Sequence, residues 1–473
     1  MNINLPNNRF TTLENFGHSL RSQCFVYRPG NAEEIEVIFK FARENGLTIN
    51  LRGAGRSYND AALNSGGIVL DLKRMDHILE WEPQTGEIKV EPGVCLRQLW
   101  EHTLPDGWWP PVVSGTMATT LGGCLAANIH GKNNFRAGPI GEHVVEFTAL
   151  LPTGAEITCS PTRNGDLFRA MISGLGMLGV FTSITLQMKK VYSGLLNVHA
   201  WPVTNLKAHL EGLLEAAPDH SYTVGWLDAM AGGKSLGRGQ LHTADYLKEG
   251  EDPDPKRTMR LEYQTLPDRF FGLVPKSILH YFMAPFGNNL AWGAVSYVKY
   301  LMGAREARYR QAHAAYHFLL DYIPDWELAY GKGGLIQYQS FLPRETAYEA
   351  WTEMIRLSLR RGLPSYLGVT KRHRPDNFLL THAVDGFSLA LDFKVTPRKR
   401  ARLLTVLQDF DRIVVEAGGR FYFAKNSETS AETARRFLGE ATLEKFRTLK
   451  KRCDPNHLLE SDLYRRVFAE NAS

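Results

Sequence analysis

Residues 50–60 read "NLRGAGRSYND", a short strand-like run that leads into two glycines separated by one alanine. Because glycine has no side chain, successive backbone N–H groups can point into one concavity and bind a phosphate. The Ser57 hydroxyl would add a donor, and Arg56 stands at the tip of the loop. The stretch therefore predicts a loop that follows a strand and holds an anionic group.

A second segment rich in small residues follows at residues 114–134, "SGTMATTLGGCLAANIHGKNN". It contains four glycines, and few large side chains precede residue 125. This composition favours another backbone surface pressed against a ligand. Either segment alone is more typical of an ordinary turn. Two of them between strand signals favour a long cofactor that carries phosphates.

The pattern around these loops predicts an α+β domain. Asn31 can cap a helix over "AEEIEVIFKFAREN" that ends before Gly46, and strand-like runs follow at 66–72 and 86–93. From about residue 195 the chain becomes richer in aromatics, with helical patterns around 304–322 and 397–417. We expect a first domain over 1–192, a substrate or cap domain over 193–417, and a last segment, 418–473, that returns to the first domain.

Composition excludes several classes of protein. The formal net charge of +5 over 473 residues is too small and too dispersed to indicate nucleic-acid binding. Five cysteines stand far apart without a CxxC pair, so neither a metal site nor a disulfide framework is supported, and a reducing cytoplasmic compartment is expected. The polar N-terminus does not resemble a signal peptide.

The most apolar long stretch is residues 282–303, "FMAPFGNNLAWGAVSYVKYLMG". Pro285, the Gly-Asn-Asn break at 287–289 and Lys299 interrupt it, so a membrane-spanning helix is not expected. A buried segment or a lid is favoured over a segment that contacts lipid.

Residues 174–179, "GLGMLG", match the G-x-G-x-x-G fingerprint of dinucleotide binding. A Rossmann loop must open a helix, whereas these glycines precede "VFTSITLQMKK", which is typical of a strand. We therefore interpret the motif as a glycine-rich turn between a helix and a strand.

Taken together, the two small-residue segments resemble the FAD-binding domain of the vanillyl-alcohol oxidase superfamily, also called the PCMH type. "IHGKNN" (129–134), "LIQYQ" (335–339), "GGRFYFAK" (418–425) and "DPNHLLESDLYRR" (454–466) are similar, in the same order, to segments of the decaprenylphosphoryl-ribose oxidase family. The resemblance implies an α+β fold, with a two-subdomain PCMH-type FAD-binding domain and an α+β cap domain built on an antiparallel sheet.

The resemblance also implies how the cofactor is held. Covalently flavinylated relatives, such as aldonolactone oxidases, carry a histidine where this chain has Arg56, and arginine cannot form that bond. We expect non-covalent FAD, with Arg56 near the flavin ring or the substrate. The residues expected to contact FAD by this resemblance are Gly53, Ala54, Gly55, Arg56, Ser57, Tyr58, Gly115, Thr116, Thr120, Leu121, Gly122, Gly123, Ala127, Asn128, Ile129, His130, Val180, Phe181 and Tyr422. Cys124, inside this run, is interpreted as a small packed residue.

Four residues are candidates for catalysis. Lys425 lies in "RFYFAKNS", which alternation predicts to be a strand with the lysine beside aromatics, and a desolvated lysine has a lowered pKa. The resemblance identifies Lys425 as an active-site lysine that acts as a base or as an anchor for the hydroxyl. His130 and Lys132 would face the same side if the chain there is extended, and Tyr58 is expected near the flavin edge.

Candidates for substrate binding lie in the cap. Gln337 and Gln339 would share one face of a strand and offer amides to sugar hydroxyls. Lys371 is a candidate for a phosphate or hydroxyl contact, and Trp226 for a pocket wall. Where a relative reads "GWNICVDF", this chain reads "GFSLALDF", with Ala390 at the position of the cysteine. This difference leaves the shape of the pocket open.

The resemblance implies oxidation of the 2'-hydroxyl of a polyprenyl-phosphoryl-β-D-ribose to the 2'-keto sugar. A short-chain NADH-dependent reductase would complete an epimerisation towards arabinose for cell-envelope arabinan. The lipid substrate would bring the protein into peripheral contact with a membrane. Two alternatives stay open: an oxidase of soluble alditols or aldonolactones that passes electrons to oxygen, and a flavin-binding partner protein without turnover.

Overall fold

A computed structural model describes residues 7–267, 269–270, 274–275 and 287–469 of the chain. Up to residue 190 the chain alternates strands and short helices. The strands are β1 (Phe10–Glu14), β2 (Arg21–Tyr27), β3 (Ile49–Arg52), β4 (Ile68–Asp71), β5 (Ile78–Glu82), β6 (Glu87–Val90), β7 (Trp108–Trp109), β8 (Val144–Leu150), β9 (Glu156–Cys159), β10 (Val180–Gln187) and β11 (Lys189–Lys190). The helices are α1 (Ala32–Glu44), α2 (Leu96–Thr103), α3 (Leu121–Ala126), α4 (Asn134–Ala137) and α5 (Gly165–Met171).

These strands form two main sheets. The first has four strands in the order β1-β2-β4-β3, with β4 parallel to both of its neighbours. The second has five antiparallel strands in the order β5-β6-β10-β8-β9. Two sheets of this kind, one mixed and one antiparallel, are the two subdomains expected from the sequence.

Helix α1 shows why the first sheet forms locally. The Asn31 side chain accepts a hydrogen bond of 2.9 Å from the Glu34 N–H, which caps the helix as predicted. Its buried residues recur at helical spacing and pack against strand β4. The helix therefore holds β4, and with it the neighbouring strand β3, from which the first glycine loop leaves.

The cap region is built on one antiparallel sheet of eight strands, in the order β17-β12-β14-β13-β19-β20-β18-β21. The strands of this region are β12 (Leu195–Val203), β13 (Tyr222–Leu227), β14 (Gly239–Tyr246), β15 (Arg269–Phe270), β16 (Val274–Pro275), β17 (Ala307–Ala312), β18 (Leu335–Pro343), β19 (Gly368–His373), β20 (Gly386–Lys394) and β21 (Arg420–Phe421). Its helices are α6 (Leu206–Ala216), α7 (Pro255–Thr258), α8 (Leu261–Gln264), α9 (Asn289–Met302), α10 (His313–His317), α11 (Ala347–Arg360) and α12 (Arg400–Glu416).

After β21 the chain returns to the first sheet through α13 (Ala431–Leu438), α14 (Glu440–Cys453) and α15 (Asp462–Val467). The Ile49 N–H donates to the Leu458 carbonyl at 2.7 Å, and the Arg466 guanidinium pairs with Asp60 at 2.7 Å. Both contacts flank the first glycine loop in the chain. The exact boundaries of the three segments, at 192/193 and 417/418, stay a prediction.

A buried ion pair stabilises the packing of this C-terminal segment against the first domain. The Lys450 ammonium donates to Asp454 Oδ2 at 2.7 Å and to the carbonyls of Met177 and Leu459 at 2.8 and 2.6 Å. The two carboxylate oxygens of Asp454 also accept from the N–H groups of Leu458 and Leu459, each at 2.8 Å. Both side chains are at most 2% exposed, so the pair is buried but fully hydrogen-bonded.

Met177 belongs to the "GLGMLG" motif, which the structure places between helix α5 and strand β10. Gly176 and Leu175 adopt positive φ angles of 76° and 51°, as in a tight turn. The prediction of a turn between a helix and a strand, instead of a Rossmann loop, is confirmed.

One predicted helix is wrong. Most of residues 304–322 is not helical: residues 307–312 form strand β17, and only the short helix α10 and a 3₁₀ turn follow. Alanine and arginine favour a helix locally, but the backbone of Ala307–Ala312 pairs with β12 instead. Glu306, at the start of this strand, also pairs with His199 of β12 at 2.8 Å.

The apolar stretch 282–303 is only partly described, since residues 282–286 lie outside the described ranges. Its described part contains helix α9, in which Leu290 is 88% and Met302 is 83% exposed. These exposures contradict a buried segment. Among the described residues, no helix is long and apolar enough to cross a bilayer.

We predict that Asp454→Ala lowers the free energy of unfolding by about 3–5 kcal/mol, because it leaves the buried Lys450 ammonium without its counter-charge. Chemical denaturation followed by circular dichroism measures the change. The matched control is Arg452→Gln on the same helix, whose partner Asp166 lies 3.0 Å away in an exposed pair. The control should cost less than about 1 kcal/mol. Equal losses in the two variants would contradict the role of the buried pair.

Candidate active site

The two glycine loops, far apart in sequence, meet in the structure. A Cβ atom added to Gly53 would lie 2.0 Å from Thr120 Oγ1, and one added to Gly122 would lie 2.7 Å from Pro92 Cβ. Thr120 precedes helix α3, while Gly53 follows strand β3. Glycine is therefore required at Gly53, where a side chain would force the two loops apart, and at Gly122, where a side chain would clash with Pro92.

The lining of this junction fits FAD. Thr120 Oγ1, Asn128 Nδ2 and Asn59 Nδ2 are buried, and none of them has a hydrogen-bond partner within the protein. Gly123, at the start of α3, is exposed, and Gly53 is partly exposed. Bare backbone beside unpaired polar atoms suits the phosphates and hydroxyls of a dinucleotide, because buried polar groups normally find a partner.

The segment around Gly115 and Thr116 is held from the cap. Thr116 Oγ1 donates to Asp321 Oδ1 at 2.7 Å, and the Met117 N–H donates to Asp321 Oδ2 at 2.7 Å. The Leu320 N–H donates to the Gly115 carbonyl at 3.1 Å. Asp321 was not identified from the sequence, since no local pattern marks a carboxylate that clamps a loop about 200 residues away.

Several other residues predicted to contact FAD have packed side chains. Leu121 and Val180 are fully buried in the hydrophobic core, and the ring of Phe181 lies edge-on to Phe147 with centroids 4.8 Å apart. The Cys124 thiol is buried, which raises its pKa to about 12, in agreement with the prediction of an unreactive packed residue. Contacts of these residues with a cofactor stay predictions. The same holds for the remaining loop residues, Ala54, Gly55, Ser57, Ala127 and Ile129.

Arg56 lies at the exposed tip of the first loop. Its guanidinium carbon is 5.0 Å from the centroid of the Phe16 ring, and that ring meets Tyr58 edge-on at 5.0 Å. The Arg56 charge also opposes the rise in the pKa of Glu327, which burial causes. Arg56 therefore lies beside the Tyr58 end of the site. Its distance from a flavin stays a prediction.

Lys425 is in the site, but not on a strand. Strand β21 ends at Phe421, and the Lys425 and Asn426 N–H groups both donate to the Tyr422 carbonyl, at 2.9 and 3.1 Å. The predicted strand is wrong, because these hydrogen bonds turn the chain where apolar alternation suggested that it continues. The Tyr58 N–H donates to the Ala424 carbonyl at 2.9 Å, which attaches the turn to the first glycine loop.

The Lys425 ammonium lies 3.8 Å from the centroid of the Tyr58 ring. Burial lowers the pKa of Lys425 to about 7, the Lys371 charge acts in the same direction, and Asp392 opposes both. Near neutral pH this amine is therefore more readily deprotonated than an ordinary lysine, and so better able to accept a proton.

Asp392, on strand β20, faces this lysine from the fully buried interior. Gln337 Nε2 donates to its Oδ1 at 2.5 Å, while its Oδ2 has no partner within the protein. Burial raises the pKa of Asp392 to about 6, and Gln337 and Lys425 oppose that rise. Sequence reasoning missed this residue. A single carboxylate inside the apolar run "FSLALDF" was the available signal.

His130 lies among cationic groups. Its Nε2 accepts from Gln339 Nε2 at 3.1 Å, and its Nδ1 is 3.3 Å from Lys371 Nζ. Burial lowers its pKa well below the ordinary value, and Lys371 and His373 lower it further, so the imidazole is neutral. His373 and His382, with ring centroids 4.9 and 5.3 Å from that of His130, were not identified from the sequence.

The Lys132 side chain is held by Tyr316. Residues 132 and 133 form a turn, so the extended chain on which the predicted shared side depends is not present. The Lys132 ammonium donates to the Tyr316 carbonyl and lies 4.3 Å from the centroid of the Tyr316 ring. Burial and the neighbouring Lys371 lower the pKa of Lys132 to about 7.

The predicted substrate residues lie on strands β18, β19 and β13 of the cap sheet. Gln337 and Gln339 face the same side of β18, opposite Asp392 and Ala390 of β20, as the alternation predicted. Lys371 lies on β19, and burial lowers its pKa to about 8. The Trp226 ring on β13 has the Lys299 ammonium 4.3 Å from its centroid.

Tyr422 closes the group, with its ring centroid 5.2 Å from that of His130 and 4.5 Å from that of His382. The site therefore connects the first glycine loop, through Tyr58, to a desolvated cluster that contains Lys132, Lys371 and Lys425. Desolvation lowers the pKa of each of these lysines. Such a cluster favours an anionic ligand and provides an amine that can act as a base at neutral pH.

Comparisons with known proteins agree with this geometry. Residues 24–160 match the family model described as FAD binding domain. The chain is 31% identical to decaprenylphosphoryl-beta-D-ribose oxidase of Mycolicibacterium smegmatis over 445 residues, which cover 92% of each chain. It is also 28% identical to D-arabinono-1,4-lactone oxidase of Yarrowia lipolytica over 35% of this chain and 32% of that one. L-gulonolactone oxidase of Mus musculus is 26% identical over 34% of this chain and 36% of its own. The chain therefore belongs to the family of PCMH-type FAD-dependent oxidoreductases that contains decaprenylphosphoryl-beta-D-ribose oxidase, and its cofactor is FAD.

Proposed function

We propose that this FAD-dependent oxidoreductase oxidises the 2'-hydroxyl of a polyprenyl-phosphoryl-β-D-ribose to the 2'-keto sugar. The observation that carries the proposal is Lys425, a lysine with a pKa of about 7 beside Tyr58 and Asp392, in a pocket that also contains Lys371 and Lys132. The base would take the proton of the hydroxyl that is oxidised, and the other lysines would bind a phosphodiester. Together they match a substrate that carries both groups.

Lys425 is proposed as the group that takes the hydroxyl proton. Its neutral amine accepts the proton from the 2'-oxygen as the C2'–H bond breaks, so the oxygen becomes a carbonyl and the lysine an ammonium. FAD, when bound, accepts the hydride. Asp392 is proposed to stabilise the ammonium that forms, since its Oδ2 has no partner and its charge already favours protonated Lys425.

The glutamines are proposed to orient the sugar. Gln337 is held by Asp392 at 2.5 Å and Gln339 by neutral His130 at 3.1 Å, so both amides have fixed directions before substrate binds. Lys371 and Lys132 are proposed to bind the phosphodiester, because an anion between them removes the repulsion that lowers the Lys132 pKa. Trp226 is proposed as a wall of the pocket.

The extent of similarity favours this substrate over a soluble alditol or aldonolactone. The decaprenylphosphoryl-ribose oxidase aligns over 92% of the chain, including the cap, whereas the lactone oxidases align over about a third of it. We also propose that a short-chain NADH-dependent reductase acts on the product, since inversion at C2' requires the ketone to be reduced again.

We predict that the purified protein is yellow and that acid precipitation releases intact FAD into the supernatant, because Arg56 cannot form the histidine–flavin bond. Under anaerobic conditions a polyprenyl-phosphoryl ribose should bleach the flavin absorbance, and free polyols and aldonolactones should not. Bleaching by the soluble sugars alone would assign the chain to the alternative substrate class.

The Lys425 prediction concerns pH. A base works in its neutral form, so kcat/KM should rise with pH through an apparent pKa near 7. Because Lys425 and Asp392 influence each other's protonation, this apparent pKa describes the two groups together. Lys425→Met should lower kcat/KM by about 10²- to 10⁴-fold and remove this rise. Asp392→Asn should move the midpoint to lower pH, because it removes a charge that favours the ammonium.

The exposed Lys445→Met is the matched control and should leave the pH profile unchanged. A wild-type profile that falls with pH between 6 and 8 would contradict the role of Lys425 as a base.

Gly53→Ala should lower the content of bound FAD, because its methyl group would lie 2.0 Å from Thr120 Oγ1 and force the two loops apart. The ratio of flavin to protein absorbance after purification measures this content. Gly232→Ala is the matched control, since the nearest atom to its added Cβ is 3.8 Å away. Full flavin content in Gly53→Ala would show that the loops do not form the cofactor cradle.

A further inference from the structure

Helix α9 (Asn289–Met302) carries a broad apolar face that is exposed to solvent. Leu290 is 88%, Met302 83%, Val298 52% and Leu301 51% exposed. At about 100° per residue, these four side chains, together with Val295 and Tyr297, fall within an arc of about 160° on one side of the helix. Single exposed apolar residues are ordinary, but a continuous face of this width indicates a binding surface.

The opposite side of α9 is fixed to the protein. The Trp292 indole N–H donates to the Tyr366 carbonyl, and the two rings stack with centroids 5.2 Å apart. The ammonium of Lys299, the one charged residue of the helix, lies 4.3 Å from the centroid of the Trp226 ring. The apolar face is therefore held outward by contacts on the other side of the helix.

Cationic residues follow this face along the chain. Residues 287–312 contain four arginines and lysines and one carboxylate, Glu306, which pairs with His199 at 2.8 Å and with Arg308 at 3.2 Å. Arg305, Arg308 and Arg310, directly after the helix, are all exposed. An apolar face beside exposed arginines is complementary to the surface of a bilayer that contains anionic lipids.

The helix is also connected to the active site. Tyr366, which stacks on Trp292, lies 5.9 Å from Tyr330 between ring centroids. Both tyrosines share one hydrophobic cluster with Tyr58, the residue beneath the Lys425 ammonium. An aromatic wall therefore runs from the catalytic lysine to the inner side of α9.

We propose that α9 docks on the headgroup–acyl boundary of an anionic bilayer, with its apolar face in the lipid and the arginines on the headgroups. The docked helix brings the aromatic wall to the membrane, so a lipid-linked sugar reaches Lys425 while its prenyl chain stays in apolar surroundings. The last step rests on the proposed function, whereas the docking itself does not.

Flotation of the FAD-loaded full chain with phosphatidylcholine vesicles, with and without 30% phosphatidylglycerol, tests the docking. The protein should float with the anionic vesicles, and Leu290→Gln/Leu301→Gln/Met302→Gln should lower the partition coefficient by more than about tenfold. Glutamine keeps a high helix propensity, so α9 should stay folded. Arg305→Gln/Arg308→Gln should lower binding to the anionic vesicles by about fivefold per arginine and weaken its salt dependence.

The matched control is Val37→Gln/Leu214→Gln/Tyr348→Gln, which replaces three exposed apolar residues on other helices. This variant should float like the wild type. Failure of the wild type to float, or equal loss in the control, would overturn the proposal. Light scattering tests whether a second copy of the chain covers this face instead. If the wild type is a dimer that does not bind vesicles, and the α9 variant is a monomer, the face belongs to a dimer interface.

Activity separates this inference from the proposed function. The α9 variant should oxidise a water-soluble short-prenyl substrate at the wild-type rate and lose about tenfold in rate on the long-chain substrate in vesicles. Equal rates on both substrates would overturn the delivery of the lipid-linked substrate by the docked helix and leave the function standing. Vesicle binding without oxidation of either substrate would overturn the proposed function and leave the docking standing.

Discussion

The buried ion pair between Lys450 and Asp454 is the contact on which the cofactor side of the structure depends. An isolated charge in the interior would cost several kcal/mol, but here the ammonium has three acceptors and the carboxylate accepts two further backbone N–H groups. Through Met177 the pair holds the turn before β10, and through Leu458 and Leu459 it holds the start of β3. The glycine loop that follows β3 therefore has its position because the end of the chain folds back on it.

The catalytic side follows a different constraint, which is an excess of positive charge in a desolvated pocket. Burial penalises each ammonium, so Lys132, Lys371 and Lys425 have lowered pKa values and His130 is neutral. The same desolvation that destabilises three charged lysines in one cluster provides an amine that can act as a base and a region that favours an anion. Stability and chemistry are thus opposed at this site, as is common for active sites.

Local signals predicted what depends on neighbours in sequence. Helix α1 has its cap and its end within 16 residues, and both were as predicted. Strand β17 was predicted as a helix because its pairing with β12, more than 100 residues away, is invisible to local propensity. Lys425 was identified, but its strand was wrong, since the hydrogen bonds that turn the chain at Tyr422 do not follow from the alternation of apolar residues.

The sequence by itself determined the two glycine loops, the absence of a Rossmann pattern after "GLGMLG", and the lysine-bearing segment at 418–425, because each depends on residue types at short spacing. Only the tertiary structure decided that Gly53 meets Thr120, that Asp392 faces Lys425, and that Asp321 clamps the second loop. It also decided which side of α9 faces outward. The physical reason is that pKa values, burial and unpaired polar atoms depend on groups brought together by the fold, and their distances in space are unrelated to their separation along the chain.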